Sequence, residues 1–188
     1  MGMLHRFVKE RFWTVIITAA VVCILIIIGA RGESHISSYN FCVSCHSMSY
    51  PDAETKKSSH YGRLGINPTC KDCHLSPAFF DRVLAHLVDG PKDSLGEFRY
   101  DLNTKEKFDA HRAEFAHTAR MTLKKRDSSP CRQCHKDPWP ASEYGQSKHK
   151  LLREGKATCI DCHQNLVHQY VPEEDLDKGL IEGKIVLR

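Results

Sequence analysis

The chain has 188 residues, with 27 Lys and Arg against 23 Asp and Glu and a formal net charge of +4. Much of its apolar content lies in one run near the N-terminus, and the remainder is polar and rich in His and Cys. A protein-only core would be thin in that remainder, so another component must fill part of the interior. The small net charge gives no support to a nucleic-acid-binding protein.

The first predicted element is a membrane helix over residues 12–30, which carry no charge. Nineteen residues at a rise of 1.5 Å make a helix of about 28 Å, long enough for the hydrocarbon core of a bilayer. Three basic residues precede it: Arg6, Lys9 and Arg11. The positive-inside rule then predicts that 1–11 are cytoplasmic and that 31–188 form a domain on the outer side.

A cleaved signal peptide is the alternative interpretation of this run. Such a peptide has an apolar region of about 7 to 15 residues followed by a small-x-small cleavage site. The run here is longer, and Ile28-Gly29-Ala30-Arg31 is a poor cleavage sequence. We therefore expect an uncleaved single-pass anchor, within which Cys23 is a small apolar residue and not a ligand.

Eight of the nine cysteines lie in four Cys-x-x-Cys-His units. The units are Cys42/Cys45/His46, Cys70/Cys73/His74, Cys131/Cys134/His135 and Cys159/Cys162/His163. Two thiols at this spacing bond to the two vinyl groups of one haem, and the adjacent His is placed to bind the iron. Zinc ribbons and disulfides also use paired cysteines, but neither needs a His after every second Cys. The sequence predicts four covalently bound c-type haems.

Covalent haem attachment also bears on compartment and charge. In bacteria it takes place outside the cytoplasm, which agrees with the predicted topology and with a location in the inner, cytoplasmic membrane. Each haem adds two propionates, so the loaded protein is more acidic than the chain, and we expect no nucleic-acid partner.

The four motifs form an internal repeat. Cys42 and Cys70 are 28 residues apart, as are Cys131 and Cys159, so an offset of 89 superposes the two pairs. Self-similarity of this kind indicates a duplicated unit. We predict two dihaem units, over about 42–75 and 131–168, joined by a helical connection over 76–130.

A six-coordinate haem needs a second axial ligand besides its motif His. The offset carries His60 onto His149, and each lies ten residues before a motif Cys. His168 is a third candidate, but its counterpart in the first unit is Phe79, so one iron lacks a well-placed distal His. A solvated surface position is the alternative for each. Four further histidines are assigned to the surface or to the ends of the membrane run: His5, His35, His111 and His117.

Two helices are predicted in the connection. The first has Ser76-Pro77 as its N-cap and first residue, and Gly90-Pro91 ends it. Its apolar residues are spaced for one helix face, which would pack against a haem or lie at the membrane interface: Phe80, Val83, Leu84, Leu87 and Val88. The second begins at Asn103 or Thr104 and ends before Ser128. With no strand pattern, the fold class is mostly α with extensive loops: a multihaem cytochrome c.

Several segments together resemble the NapC/NirT family of membrane tetrahaem quinol dehydrogenases, which includes the small subunit of cytochrome c nitrite reductase. The likeness runs from the anchor to about Tyr170. Its segments are FCVSCHSM at 41–48, TCKDCH at 69–74, PKD at 91–93, KFDAHRAEFA at 107–116, SSPCRQCH at 128–135, TCIDCH at 158–163 and LVH at 166–168.

The resemblance implies a distinct first haem, held by Cys42 and Cys45 nearest the membrane, beside a quinol pocket. In the nitrite-reductase subunit the Met of Cys-x-x-Cys-His-x-Met binds that iron in place of the motif His, which here makes Met48 the alternative to His46. The resemblance also places Asp93 on the other side of that haem. A pocket Lys of the family is replaced here by His86, so the proton-handling group stays open between Asp93 and His86.

The expected function is oxidation of menaquinol or ubiquinol and transfer of the electrons through the haems to a periplasmic reductase or cytochrome in anaerobic respiration. Nitrate and nitrite reductases are the leading partners implied by the resemblance. One alternative is an anchored electron-transfer cytochrome with no quinol site of its own. A second is a reductase acting directly on nitrite or hydroxylamine, but the chain has no Cys-x-x-Cys-Lys motif. The oligomeric state stays open.

Overall fold

A computed structural model describes residues 2–177. Over this range the chain is helical, and no β-strand is formed between residues 2 and 177. It divides into one unit that ends at Ser38 and a second that begins at Tyr39. The helical fold class is thereby confirmed.

The first unit is a single long helix, α1 (Gly2–Ile36). Its Val8–Ile36 segment is long and apolar enough to cross a membrane, and none of its most apolar stretch is buried inside the protein. The helix extends beyond the predicted 12–30 because charged and polar residues after Arg31 continue its turns. Ser37 ends it by donating a hydrogen bond from Oγ to the Glu33 carboxylate at 2.6 Å.

The second unit is built from short helices and connecting loops. Its α-helices are α2 (Tyr39–Cys42), α3 (Ser49–Thr55), α4 (Cys70–His74), α5 (Phe79–Val88), α6 (Gly90–Arg99), α7 (Lys105–Ala110), α8 (Arg112–Lys125), α9 (Glu143–Arg153) and α10 (Cys159–Cys162). Short 3₁₀ helices cover His46–Met48, Arg63–Gly65 and Cys131–Gln133.

The duplication is visible in the helices that carry the second and fourth motifs. Thr69 caps α4, and the Asp72 side chain accepts hydrogen bonds from the Thr69 N–H and hydroxyl, both at 2.7 Å. Thr158 and Asp161 repeat this capping box at α10. Since each residue lies 89 positions after its counterpart, the same offset relates sequence and local structure.

The prediction for the first connecting helix was wrong at its beginning, while its end before Gly90 is confirmed by Val88, the last residue of α5. The helix begins at Phe79, with Ala78 as N-cap, while Ser76 accepts the Ala78 N–H at 3.2 Å. Gly90-Pro91 does not end the helical region but begins α6, because Pro is tolerated in a first turn, where its missing N–H has no partner to lose. The apolar stripe faces away from the protein core, since Phe80, Leu84 and Leu87 are all exposed.

The second connecting helix begins as predicted, since the Thr104 side chain caps α7 by accepting the Lys107 N–H. It is not continuous, however. His111 leaves the helical conformation (φ −103°, ψ 1°), so that α7 and α8 are separate helices. The last turn of α8 ends at Lys125, before Ser128, as expected.

The apolar core is small, as the composition predicts. Met121 of α8, Ile160 of α10 and Leu176 are buried together, with Leu123 packed against them. Ion pairs surround this core, notably Arg120 with Glu174 at 2.8 Å and Lys124 with Asp161 at 2.5 Å.

Candidate haem sites and redox centre

Three pairs of histidine rings face each other in the second unit. The ring centres are 6.4 Å apart for His60 and His135, 6.1 Å for His74 and His168, and 6.2 Å for His149 and His163. An imidazole nitrogen binds a metal at about 2 Å, so two rings on opposite sides of one iron have centres about 6 Å apart. Each pair therefore fits the two axial ligands of one haem.

The pairs join each candidate distal His to one motif His, but not in the order that the repeat suggests. His149 faces His163 within its own unit, and the repeat would match this with His60 facing His74. Instead His60 faces His135 of the third motif, and His74 faces His168, which follows the fourth motif. The two units thus exchange distal histidines.

The motif thiols are grouped in the same way in both units. The Cys42 and Cys70 side chains are in hydrogen-bonding contact, and so are Cys131 and Cys159, their counterparts after 89 residues. All nine cysteines are free of disulfides. Within residues 2–177 no three His, Cys, Asp or Glu side chains are grouped so as to hold a metal ion, and a zinc ribbon is therefore not formed there.

Desolvation favours the neutral form of three of the paired imidazoles, which is the form that binds iron. Burial lowers the pKa of His163 and His168, and it lowers the pKa of His74 to about 4. For His74 the neighbouring His168 and Arg126 add to the effect. Part of the His74 residue remains accessible to solvent, but the protein atoms around its ring dominate its pKa.

A hydrogen bond to the backbone orients the ring of the distal candidate His149. The Nδ1 atom of His149 is 2.8 Å from the Pro138 carbonyl oxygen. A carbonyl can only accept, so Nδ1 carries the proton and Nε2 is left with the lone pair that binds iron.

The His168 ring has a charged neighbour that the sequence did not indicate. Its Nδ1 atom is buried and lies 3.9 Å from Oε2 of Glu54. Arg112 holds that carboxylate with two hydrogen bonds of 2.7 and 3.0 Å, and Glu54 also accepts the Gln169 N–H at 3.0 Å. Glu54 and Arg112 are 58 residues apart, and no local pattern marks either.

The first motif is arranged differently from the other three. Among the described residues, no second histidine ring faces His46. The Nε2 atom of His46 is instead 3.1 Å from the Asn103 carbonyl oxygen and 3.0 Å from the Tyr50 hydroxyl. Met48 follows at the end of the same 3₁₀ turn and is half-buried. The Nε2 atom of His46 is thus already engaged in hydrogen bonds.

The helix α6 runs beside this motif. Glu97 accepts a hydrogen bond from the Ser47 hydroxyl at 2.5 Å, and a cavity of about 330 Å³ is lined by His46, Glu97, Phe98, Asp101, Leu102 and Asn103. Asp93 lies one turn earlier on the same helix face as Glu97. Desolvation raises the pKa of the solvent-accessible Asp93 carboxyl, and the charge of Asp89 raises it further.

His86 lies on α5, and its Nδ1 atom is buried without a hydrogen bond. The helices α5 and α6 pack against each other. A donor without a partner is a costly feature of a protein interior, so an unsatisfied imidazole near α6 fits a position that meets a polar ligand.

The sequence profile of the NapC/NirT cytochrome c family, N-terminal region, matches residues 6–173. The chain belongs to this family. It is 47% identical over 186 residues to a probable tetraheme cytochrome c-type protein of Nitrosomonas europaea, covering 97% of this chain and 80% of that one. No solved structure matches it.

Other relatives carry names from several branches. The chain is 32% identical to the cytochrome c-type protein NapC of Haemophilus influenzae, over 94% of this chain and 96% of that one. It is 39% identical to the cytochrome c-type protein TorY of Escherichia coli O157:H7, over 73% of this chain but only 38% of that relative.

Family membership and the geometry agree on the cofactor. The chain is a single-pass membrane cytochrome of electron transport. It binds four c-type haems, one at each of its four motifs. Members of the family oxidise quinol and pass electrons to periplasmic reductases. The three histidine pairs and the eight motif thiols are a donor set that fits haem and the low-spin, six-coordinate state.

Proposed function

We propose that this protein is a quinol dehydrogenase of the bacterial inner membrane whose domain from residue 31 onward lies in the periplasm. Electrons from menaquinol or ubiquinol enter at the first motif and leave from the others to a periplasmic reductase or cytochrome. The observation that carries this proposal is the difference between His46, which faces no second histidine, and the three motif histidines that do.

The chain's own residues would hold the haems as follows. The eight motif cysteines attach them, and when bound the haems supply the one-electron chemistry that links a two-electron quinol to the partner. Three of the haems would each be held by two imidazoles: His74 with His168, His135 with His60, and His163 with His149. At the first motif Met48 supplies the protein ligand, since Nε2 of His46 is engaged elsewhere.

The order of the motifs supports a route along the chain. Contact between Cys42 and Cys70 puts the first two attachment sites side by side, and contact between Cys131 and Cys159 does the same for the last two. Cys73 and Cys134 are near enough to influence each other electrostatically, which brings the second and third sites together. Electrons entering at the first motif would therefore pass the second and third before the fourth.

Oxidation of a quinol also releases two protons, and these need acceptors. Asp93 is the main candidate, because its raised pKa brings the carboxyl closer to the working pH while leaving it able to accept a proton. It lies one helical turn from Glu97, which contacts the first motif. His86, with its unpaired and buried Nδ1, is the candidate for the second proton or for a hydrogen bond to the quinol.

A quinol analogue tests the proposal directly. The purified holoprotein would be titrated with a hydroxyquinoline N-oxide while the spectra of all haems are recorded. We expect the signal of one haem to shift and the three bis-histidine signals to stay unchanged. Spectra that do not respond to the analogue, in a protein that still exchanges electrons with a reductase, would leave an anchored electron carrier without a quinol site. Co-purification from native membranes would identify the partner.

A further inference from the structure

Two sets of hydrogen bonds hold the end of the first motif, one made by the His46 ring and one made by Ser47. On one side, Nε2 of His46 meets the Asn103 carbonyl oxygen at 3.1 Å and the Tyr50 hydroxyl at 3.0 Å. On the other, the Ser47 hydroxyl donates to Glu97 at 2.5 Å, and the Ser47 N–H faces the same carboxylate at 3.4 Å. Ser47 itself is completely buried.

In this arrangement the Nε2 atom of His46 is unable to bind iron in either tautomer. If Nε2 carries the proton, it donates to the Asn103 carbonyl and has no lone pair to offer. If Nε2 is unprotonated, its lone pair accepts the proton of the Tyr50 hydroxyl. Coordination would require the ring to give up these contacts and turn away.

Packing of the Tyr50 ring fixes the position of its hydroxyl. The Tyr50 ring packs against Phe108, with ring centres 5.6 Å apart, and Phe108 is one of the buried core residues. On its other side the Tyr50 ring meets the edge of His46, also at 5.6 Å. The hydroxyl is therefore held against Nε2 by packing as well as by its hydrogen bonds.

We infer that Tyr50, the Asn103 carbonyl and the Ser47–Glu97 pair form a lock that withholds His46 from the first iron and leaves Met48 as its protein ligand. Here "lock" means these four residues. The inference rests on the ligand assignment made under the proposed function. These are positioning residues, which act through His46 and Met48. A thioether in place of an imidazole raises the potential of a haem, so the lock sets the potential at which the first haem accepts electrons.

The test compares locked and unlocked holoproteins by low-temperature EPR and near-infrared magnetic circular dichroism, which report axial ligands. The locked variant is Met48→Ala. The unlocked variant adds Ser47→Ala and Tyr50→Phe, which remove one side chain from each side of the motif. A matched control adds Tyr144→Phe to Met48→Ala, because Tyr144 is exposed and remote from the first motif.

In the locked variant and its control the first haem should lose the thioether signature and gain no imidazole signature. In the unlocked variant an imidazole signature should appear, because the two lost hydrogen bonds no longer oppose rotation of the His46 ring. An imidazole signature already present in Met48→Ala overturns the lock. So does an unlocked variant whose spectrum matches the locked one.

A second measurement tests the inference if the Met48→Ala holoprotein does not assemble. Ser47→Ala/Tyr50→Phe in a chain that keeps Met48 should lower the potential of the first haem, and an unchanged potential overturns the inference. If the wild-type first haem already carries an imidazole, both the lock and the Met48 assignment are wrong. The response to the quinol analogue is independent of these readouts. The quinol function can therefore be wrong while the lock is right, and the lock can be wrong while the quinol function is right.

Discussion

The ring centres of His60 and His135 lie 6.4 Å apart, although the two residues belong to different halves of the duplicated chain. His74 and His168 cross between the halves in the opposite direction. Each half therefore provides an axial ligand for a haem that the other half attaches. The duplication produced two similar units, but neither holds all the histidines that its own haems need, so the four sites are expected to assemble together.

The exchange predicts which haem responds to loss of His60. In His60→Ala the haem attached at Cys131 and Cys134 should become high-spin and its potential should rise, because one axial nitrogen is lost. EPR would count the high-spin haems, and a cryo-EM map of the holoprotein would show which iron has an open side. His149→Ala is the matched control and should affect the fourth motif. An open side at Cys70 and Cys73 in His60→Ala would mean that the units do not exchange ligands.

The ion pair beneath His168 predicts a stability effect. Arg112 is buried and binds both Glu54 and Asp109, so Arg112→Gln leaves Glu54 without its arginine partner, while Asp109 keeps its ion pair with Lys105. The free energy of unfolding should fall by about 3 to 5 kcal/mol, the cost of breaking a buried pair. Chemical denaturation of the holoprotein, followed by circular dichroism, measures it.

The control for this change is the exposed pair of Lys150 and Glu154 on the surface of α9. Lys150→Gln should change the free energy of unfolding by less than about 1 kcal/mol. Equal losses in the two variants would mean that Arg112 has no special role beneath His168.

Local patterns in the sequence predicted the motifs, the anchor and the three distal candidates, because covalent haem attachment and membrane insertion each need contiguous residues. The pairing of His60 with His135 could not be predicted, since it depends on how two distant segments meet. The repeat is no guide here, since His149 faces His163 but His60 does not face His74. The Glu54–Arg112 pair was missed for the same reason, as no spacing rule relates residues 58 positions apart.

The helix α6 was not predicted for a different physical reason. The first connecting helix does end before Gly90-Pro91, but the same two residues are also well suited to a first helical turn, and the chain uses them to begin α6. This matters for the site, because α6 carries both Asp93 and Glu97. A loop after Pro91 would not have put these carboxylates on one face, and the contact between Glu97 and Ser47 could not have been inferred.

The thin apolar core predicts unusual sensitivity at Met121, which is only 1% exposed and lies at the centre of the small cluster around α8. Met121→Ala should lower the free energy of unfolding by about 2 to 5 kcal/mol, through lost burial and a cavity that the short helices cannot close. Leu95→Ala, at an exposed position on α6, is the control and should have little effect. Thermal denaturation of the two holoproteins compares them, and equal midpoints would place the stabilising core elsewhere.

The proposed proton acceptor predicts both a rate and a pH dependence. Asp93→Asn should slow quinol oxidation by about two to four orders of magnitude, the usual scale for general base catalysis, while haem content and reduction by dithionite stay the same. Asp93 must be ionised to accept a proton. Desolvation and Asp89 raise its pKa, so the rate should fall with decreasing pH at values above the ordinary carboxyl range.

Asp89→Asn provides the matched test of that pH dependence. Removing the Asp89 charge removes one of the causes that raise the pKa of Asp93, so the acid limb of the rate profile should move to lower pH while the plateau rate is kept. The measurement is the initial rate of quinol-dependent haem reduction between about pH 4 and 8, in the wild type and both variants. If the acid limb of the rate profile stays in place in Asp89→Asn, or persists in Asp93→Asn, it belongs to another group. His86, whose Nδ1 is buried and unpaired, would then be the next residue to substitute. Wild-type rates in Asp93→Asn at every pH would remove Asp93 from the mechanism.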